Sequence, residues 1–533
     1  MLLVDLARTS RDVAATRGRL EKIARLSSLL RRLEPGERAP SVSWLAGDLA
    51  QGSIGLGWAG VREALQASQP APSPSLSIAD LERAIAAFAS ARGPGSASAR
   101  RDVLGELFAR AGEEEREFLS GLFTGELRQG ALEGIVTEAV ALAAGAPAEE
   151  VRRAAMLAGS LPKVAEAVLA EGPVALARFS LRLLEPVKPM LAQTAGSVAE
   201  ALEALGGTAA LEWKLDGARV QVHRRGEEVR IFSRALREVT SALPEVVAVA
   251  RAARATELVL DGEALALRPD GTPEPFQVTM SRFGRRLDVD RLAPELPLTA
   301  LFFDILEKDG RDLLALSCAQ RYEELASAVP ERQRVPRRVV SDPAQGEAFL
   351  AEALSRGHEG LVVKALGAPY QAGRRGGAWL KVKRAHTLDL VVLAVEPGSG
   401  RRRGWLSNLH LGARDPQGGG FAMLGKTFKG MTDEMLAWQT ERLRALALAE
   451  EGHAVRVRPE LVVEVAFDGI QASSRYPAGL ALRFARVKRY REDKRAEEAD
   501  TIETVRALYA RQAGTSAGEG ASSDEGEPDG PRP

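Results

Sequence analysis

The sequence predicts a multidomain protein: an all-α N-terminal region, an α+β region built on antiparallel sheets, and a small C-terminal β-barrel. Three observations predict this. Up to about Leu184 the apolar residues recur at helical spacing. Near Pro186-Val187-Lys188-Pro189-Met190-Leu191 the period changes, and short alternating strands follow. Past Lys383 come more short strands and glycine turns, to about Lys488. A segment of that size closes most simply as a barrel, for which an OB-fold is the natural candidate.

Taken in order, Leu20, Ile23, Leu26, Leu30 and Leu33 fall at helical spacing, and Pro35 is expected to stop that helix. Pro70 to Pro74 and Arg92 to Ser96 read as turn-rich breaks. Ser77 with Asp80 reads as a helix cap ahead of Leu81, Ile85 and Phe88. Amphipathic segments cover Val103 to Leu122 and Leu132 to Leu142. Strands are expected at Arg219 to His223, Val229 to Ser233, Leu258 to Leu260, Leu301 to Ile305, Leu361 to Lys364 and Leu380 to Lys383, the first two joined by a hairpin at Arg225-Gly226. Helices around Glu245 to Ala255 and Ala319 to Ala328 interrupt them. This is an α+β pattern. The Leu388 to Val395 run then leads into Pro397-Gly398-Ser399-Gly400-Arg401-Arg402-Arg403-Gly404. The tail from Ala513 is rich in Gly, Ser, Glu and Pro, a composition that favours disorder. The expected domains are 1–185, 186–384 and 385–512, with 513–533 an acidic tail.

Bulk composition narrows the class. A chain of 533 residues suits two to four domains, and 45% hydrophobic with 27% charged residues is an ordinary soluble mix. The single cysteine, Cys318, permits neither a disulfide within the chain nor a cysteine-rich zinc site, and the five histidines never reach metal-ligand spacing. The N-terminal apolar stretch is too short for a signal peptide, and no run of about 18 apolar residues suggests a membrane span. A cytoplasmic, reducing compartment is expected. Net charge is zero. The tail holds Glu519, Asp524, Glu525, Glu527 and Asp529 against Arg532, so removing its −4 leaves the body at +4. Any polyanion-binding surface must therefore come from local clusters.

Five short motifs carry the chemistry: Lys214-Leu215-Asp216-Gly217, Asp261-Gly262-Glu263, Glu359-Gly360-Leu361-Val362-Val363-Lys364, Lys381-Val382-Lys383 and Arg491-Glu492-Asp493-Lys494. Lys214 is the candidate nucleophile. A free lysine has a pKa of about 10.4, so a neutral amine at pH 7 costs roughly 4 to 5 kcal/mol. Nearby cations lower that cost, with Lys381, Lys383 and Arg219 as candidates, helped by Mg²⁺ and partial desolvation. Asp216 can orient the amine or hold its proton, and Gly217 permits a tight turn that lets phosphate approach the backbone. A carboxylate of Asp261-Gly262-Glu263 can hold ribose hydroxyls or Mg²⁺, and Glu359 can bind the metal. Lys381 and Lys383 alternate on a strand and so share a face. Each motif alone also fits a bland reading: a strand end with a turn, a solvated acid, an edge strand guarded by lysines, a charged C-terminal helix. Phosphoryl transfer needs positioning and charge neutralisation, which this inventory supplies. No Walker-type phosphate loop is present.

In this order the motifs resemble those of the ATP-dependent DNA ligases, specifically the three-domain archaeal type also found in bacteria, over nearly the whole chain apart from the tail. The resemblance implies a helical DNA-binding domain, an adenylation (nucleotidyltransferase) domain and an OB-fold domain. It implies that Lys214 becomes AMP-linked, that Glu212 reads the adenine amino edge, and that Arg219 with Ser233-Arg234 contacts the phosphate and ribose side. Glu263 is implied as a ribose or metal carboxylate, Phe303 as the ring stacked on adenine, and Glu359 as the second metal carboxylate. Arg375, Lys381 and Lys383 are implied as a phosphate clamp, and Arg491 and Lys494 as closing over the β- and γ-phosphates. Gly125-Glu126-Leu127-Arg128-Gln129-Gly130 resembles the backbone-contacting turn of the DNA-binding domain, and Gly425-Lys426-Thr427-Phe428-Lys429-Gly430 an OB-domain segment. Arg483-Phe484-Ala485 departs from the pattern, since many relatives carry proline at the alanine position. ATP and Mg²⁺ are the implied cofactors and nicked duplex DNA the implied partner. A monomer in the cytoplasm, associated with the nucleoid, is expected, and no sliding clamp is legible.

An RNA-joining ligase or a capping guanylyltransferase shares the Lys-x-Asp-Gly core, but the long helical N-terminal region argues for a duplex-gripping enzyme. A single cysteine cannot build the zinc finger of an NAD-dependent ligase. A non-catalytic DNA-end-binding scaffold would lose the lysine, whereas each expected catalytic position is present here.

Overall fold

The computed structural model describes residues 1–49, 58–91, 93, 95–127, 129, 133–284, 289–371, 377–383, 386–398, 402 and 404–512. They form two compact units: Met1–Leu267, Thr279–Ala353 and Gly360–Val382 in one, and Arg268–Val278, Leu354–Glu359 and the chain from Lys383 in the other.

The first unit begins with helices packed on one apolar core that includes Leu6, Leu26, Trp44, Leu81, Phe88, Phe108, Leu119, Val140 and Val164. The Arg19–Leu30 helix buries Ile23, Leu26 and Leu30, but Leu20 is 80% exposed. At about 100° per residue Leu20 lies roughly a quarter-turn off the stripe the others share, so spacing alone overstated its burial. The expected cap is present: Ser77 Oγ accepts the Asp80 N–H, and Asp80 accepts the Ser77 N–H at 2.8 Å. The amphipathic segment over Val103 to Leu122 falls on two helices, Ser96–Arg110 and Glu113–Thr124. The break falls at Gly112, whose extended backbone lets its N–H reach Glu115 Oε2 at 2.8 Å.

Among the described residues, ten strands belong to the next region: β1 (Gln193–Thr194), β2 (Ala209–Lys214), β3 (Ala218–Arg225), β4 (Glu228–Ser233), β5 (Glu257–Ala266), β6 (Leu298–Lys308), β7 (Arg311–Asp312), β8 (Arg337–Val340), β9 (Gly360–Ala365) and β10 (Trp379–Lys383). They make two five-stranded sheets, ordered β1-β10-β9-β2-β8 and β4-β3-β5-β6-β7. Pairings are antiparallel in the second sheet, while β1 runs parallel to β10 in the first. The hairpin joining β3 and β4 turns at Gly226-Glu227, with Gly226 at φ 59°. The helices Pro244–Arg251 and Cys318–Ala328 interrupt the strands, the first ending earlier than its apolar pattern suggests.

The helical region is tied to these sheets by buried polar groups. The Leu184 N–H donates to His223 Nδ1 at 3.1 Å, and Gln221 exchanges hydrogen bonds with both backbone groups of Val187. Burial pushes His223 down to about 3, so the ring stays neutral and free to accept.

In the second unit β11 (His386–Pro397), β12 (Leu406–Arg414), β13 (Phe421–Thr427), β14 (Ala447–Glu451), β15 (Ala454–Val457), β16 (Val462–Phe467) and β19 (Arg486–Tyr490) form a seven-stranded sheet, with β17 (Gly469–Ala472) and β18 (Leu480–Arg483) a separate hairpin. The helices Asp433–Ala445 and Ile502–Gln512 accompany them. Among the described residues no helix is long and apolar enough to cross a membrane.

Candidate active site

Lys214 is the last residue of β2, and Ala218 opens β3 in the other sheet. The Leu215-Asp216-Gly217 segment is therefore the crossover between two sheets, and the crossover explains the glycine. A Cβ on Gly217 would stand 2.5 Å from the Ala264 carbonyl oxygen and 2.9 Å from Glu263 Cγ. Close approach of β5, more than turn geometry, demands Gly217. That approach brings Glu263 to the Lys214 side of the crossover.

Strand register assembles the rest. Arg219 on β3 lies opposite Glu263 on β5, with Asp261 two residues along on the same face. The Arg219 fork binds Asp261 through Nε at 2.9 Å and Nη2 at 2.6 Å, and Nη1 donates to the Met190 carbonyl at 2.6 Å. Tyr370 Oη donates to Asp261 at 2.7 Å and accepts the Met190 N–H at 3.0 Å. Burial works against the Arg219 charge, but Asp261 and Glu263 more than offset it and hold the guanidinium firmly charged. The same burial pushes Glu263 up to about 7, even with Lys214 and Arg219 nearby to stabilise its anion.

Phe303 reaches the site through a bulge. Asp261 pairs with Asp304 and Gly262 with Phe302, which leaves Phe303 as the extra residue of β6. Its ring meets Trp379 edge-on at 6.0 Å, with Arg219 Cζ 5.4 Å and Lys364 Nζ 4.9 Å from its centre. Glu212 and Lys214 alternate along β2 and share a face. Glu212, 2% exposed, pairs with Lys364 Nζ at 2.6 Å and, more loosely, with Arg337 at 3.5 Å. Lys364 closes one of the motifs without a role of its own in the sequence reading, and Arg337, Tyr370 and Trp379 were not singled out; β8, β9 and β10 carry Arg337, Lys364 and Trp379 in, and Tyr370 comes from the segment between β9 and β10.

Lys381, on β10, lies in register with Thr194 and its carbonyl accepts the Ala195 N–H at 3.1 Å. Arg234 is exposed after β4. Arg375 lies outside the described residues, as do Arg128 and Gly130 of the 125–130 segment. In that segment Gln129 is buried: it accepts from Ser10 Oγ at 2.6 Å and donates to the Leu45 carbonyl.

The second unit holds the other expected residues. Lys383 Nζ is 2.8 Å from Glu359 and 3.3 Å from Asp468. Burial opposes its charge, but Glu359 and then Asp468 raise its pKa on balance. Arg491 to Lys494 form a turn and not a helix. Asp389 Oδ2 takes Arg491 at 2.8 Å and Lys494 at 2.6 Å, and Asp493 grips the other edge of the Arg491 fork at 2.7 and 2.9 Å. Both cations line a cavity of about 680 Å³ with Trp438, Arg442 and Arg495. At the departure from pattern, Phe484 adopts φ 54° and is 59% exposed, while the Ala485 carbonyl accepts from Thr427 Oγ1 at 2.6 Å.

The first unit's site suits attack of a lysine amine on a phosphoryl centre, which is the chemistry of a covalent nucleotidyltransferase. Comparison with known proteins narrows the class. Residues 189–383 match the model of the ATP dependent DNA ligase domain, 402–494 its C terminal region, and 59–141 the DNA ligase N terminus. A "Probable DNA ligase" of Anaeromyxobacter dehalogenans (strain 2CP-C) is 69% identical over 96% of this chain and 100% of its own length. One of Sorangium cellulosum is 55% identical over 99% of this chain and 98% of its own. The solved structure described as "Pmar-Lig_Pre." shares the fold, with a TM-score of 0.58 at 19% identity over 91% of this chain and 99% of its own. The chain belongs to the ATP-dependent DNA ligase family, with a helical N-terminal region, an adenylation domain and a C-terminal sheet domain.

Proposed function

We infer that this chain seals 5′-phosphate/3′-hydroxyl nicks in duplex DNA at the expense of ATP. The observation that carries the reading is the meeting of Lys214, Glu263 and Arg219 at the crossover between two sheets, in a chain 69% identical to a probable DNA ligase. Lys214 Nζ attacks the α-phosphorus of ATP, forming a P–N bond as the bond to pyrophosphate breaks and the amine gives up its proton. A 5′-phosphate oxygen at the nick then takes the adenylyl group, breaking the P–N bond. The 3′-hydroxyl finally attacks the activated 5′-phosphorus and AMP leaves.

The chain's residues divide this work. Asp261, Tyr370 and the Met190 carbonyl fix the Arg219 fork. Phe303 offers a ring face for adenine, and Glu212 an acceptor for its amino group. Arg234, Arg375, Lys381 and Lys383 serve phosphate and ribose. Arg491 and Lys494, held as a pair by Asp389, meet the β- and γ-phosphates during adenylation.

Glu263 offers the hard oxygen donors that suit Mg²⁺, and Glu359 is the second candidate. Among the described residues no three His, Cys, Asp or Glu side chains form a metal cage, but Mg²⁺ is commonly held by one or two carboxylates together with phosphates and water. When bound, the ion neutralises triphosphate charge.

The domains on this reading are 1–185, 186–384 and 385–512, supported by the matched family regions and the division between units after Val382. An OB-type barrel for the last is supported by β11, which pairs with β12, β15 and β16. The protein acts as a monomer on nicked DNA, associated with the nucleoid. Its binding is sequence-independent and falls with salt, as phosphate contacts dictate.

The direct test incubates the protein with labelled ATP and magnesium, looks for a labelled protein band, and chases it with nicked duplex. Lys214→Ala is expected to abolish the adduct and leave nicked-DNA binding largely unchanged. Normal adenylation in that variant would reject Lys214 as the nucleophile.

A further inference from the structure

Glu212 sits in an unusual position for a group that must greet a base. It is 2% exposed, yet two cations face it from neighbouring strands. Arg337 on β8 is its direct cross-strand partner, and Lys364 on β9 is its diagonal one, opposite Ala210. Lys364 is 1% exposed and commits its amine inward: Nζ is 2.6 Å from Glu212 Oε2, 2.9 Å from the Phe303 carbonyl oxygen, and 4.4 Å from the centre of the Trp379 ring. Arg337 is drawn partly away, with Cζ 4.0 Å from the Tyr322 ring centre and Nη1 3.5 Å from Glu212 Oε1. Lys364 is thus the strong partner, and Oε1 keeps acceptor capacity.

A carboxylate is acceptor-only, whereas a carboxylic acid also donates. The difference matters at the C6 edge of a purine. An amino group there offers N–H to a carboxylate, while a carbonyl there would meet it oxygen to oxygen. With Lys364 gone, Arg337 is the remaining cation at Glu212, and the carboxylate is no longer held from the Oε2 side.

We propose that Lys364 determines nucleotide specificity: anchored on the Phe303 carbonyl and bound to Oε2, it holds the Glu212 carboxylate so that Oε1 accepts from a 6-amino purine and rejects a 6-oxo purine. The proposal rests on Glu212 reading the base, as inferred above. Lys364 acts through Glu212 and is a positioning residue for the adenylation step.

The test measures kcat/KM for protein–nucleotide adduct formation with ATP and, separately, with inosine triphosphate, which carries a C6 carbonyl and an N1–H in place of the C6 amino group and bare N1. Lys364→Gln is expected to narrow the ATP preference by about tenfold or more, and Lys364→Arg to retain most of it. A thermal melt identifies folded variants, and Lys364→Met is the second neutral replacement if Lys364→Gln does not fold. Equal loss with both triphosphates, leaving the ratio unchanged in a folded neutral variant, overturns the proposal and reduces Lys364 to a packing role. Glu212→Gln separates the two layers. If its ratio is unchanged, the base-reading role of Glu212 falls. If its ratio shifts while that of the Lys364 variant does not, only the role of Lys364 falls.

Discussion

Glu307 illustrates how one side chain can govern response to pH away from the nucleotide pocket. It lies on β6, 4% exposed, with Oε1 accepting the Gly310 N–H at 2.6 Å and Oε2 without a hydrogen-bond partner among the described residues. Burial, then the nearby Glu257, Asp309 and Asp312 charges, pushes it up to about 7 from an ordinary 4.5. Its folded pKa is the higher one, so the stability it contributes is whole below pH 4.5 and is lost as pH rises through about 7. Glu307→Gln keeps the acceptor for Gly310 and never ionises. The variant is expected to be more stable than wild type above pH 7, by up to about 3 kcal/mol, with the difference shrinking below pH 5. Denaturant melts across that range decide it, and parallel profiles for the two proteins would refute the assignment. Glu263 shifts the same way, so the difference between the two proteins isolates Glu307.

Among the elements, β6 and the 491–494 turn show what strand patterns reveal and what they hide. The Leu301 to Ile305 run is legible as a strand from its apolar content, but the bulge that leaves Phe303 between two paired residues depends on register with β5. The charged run at 491–494 is equally compatible with a helix. The turn wins because Asp389 on β11 and Asp493 hold the Arg491 fork from two sides, and Lys494 closes on the same Asp389 oxygen. A carboxylate flanked by two cations presents them together. Arg491→Ala and Lys494→Ala should therefore slow adenylation by ATP at least tenfold more than they slow sealing of pre-adenylated nicks, as expected of groups that meet only the triphosphate tail. Equal losses in the two assays would reject that role. The Lys383 pairing with Glu359 and Asp468 was likewise invisible in sequence, because the partners lie far along the chain.

For the whole molecule, charge distribution is the relevant quantity. Net charge is zero only because an acidic tail of −4 balances a body of +4. Residues 513–533 lie outside the described part of the chain and outside the matched family regions. Ending the chain at Gln512 is expected to leave nick sealing intact at moderate salt, since no expected site residue is removed and the loss of negative charge does not oppose a polyanion. A large drop in sealing by the shortened protein at unchanged melting temperature would assign the tail a role in the reaction.

By itself the sequence determined the motif order, the place of Lys214 at a strand end and the change from helical to alternating period near residue 186. These are local: a lysine followed by a glycine crossover, a Ser-Asp cap and a period of two are written in neighbouring residues. Tertiary structure alone decided which partners meet the motif residues. Arg219 received Asp261 and Tyr370, Glu212 received Lys364 and Arg337, and Phe303 was turned inward by a bulge. Those pairings follow from strand register, and register is settled by burial of whole faces at once, which no short stretch of chain encodes.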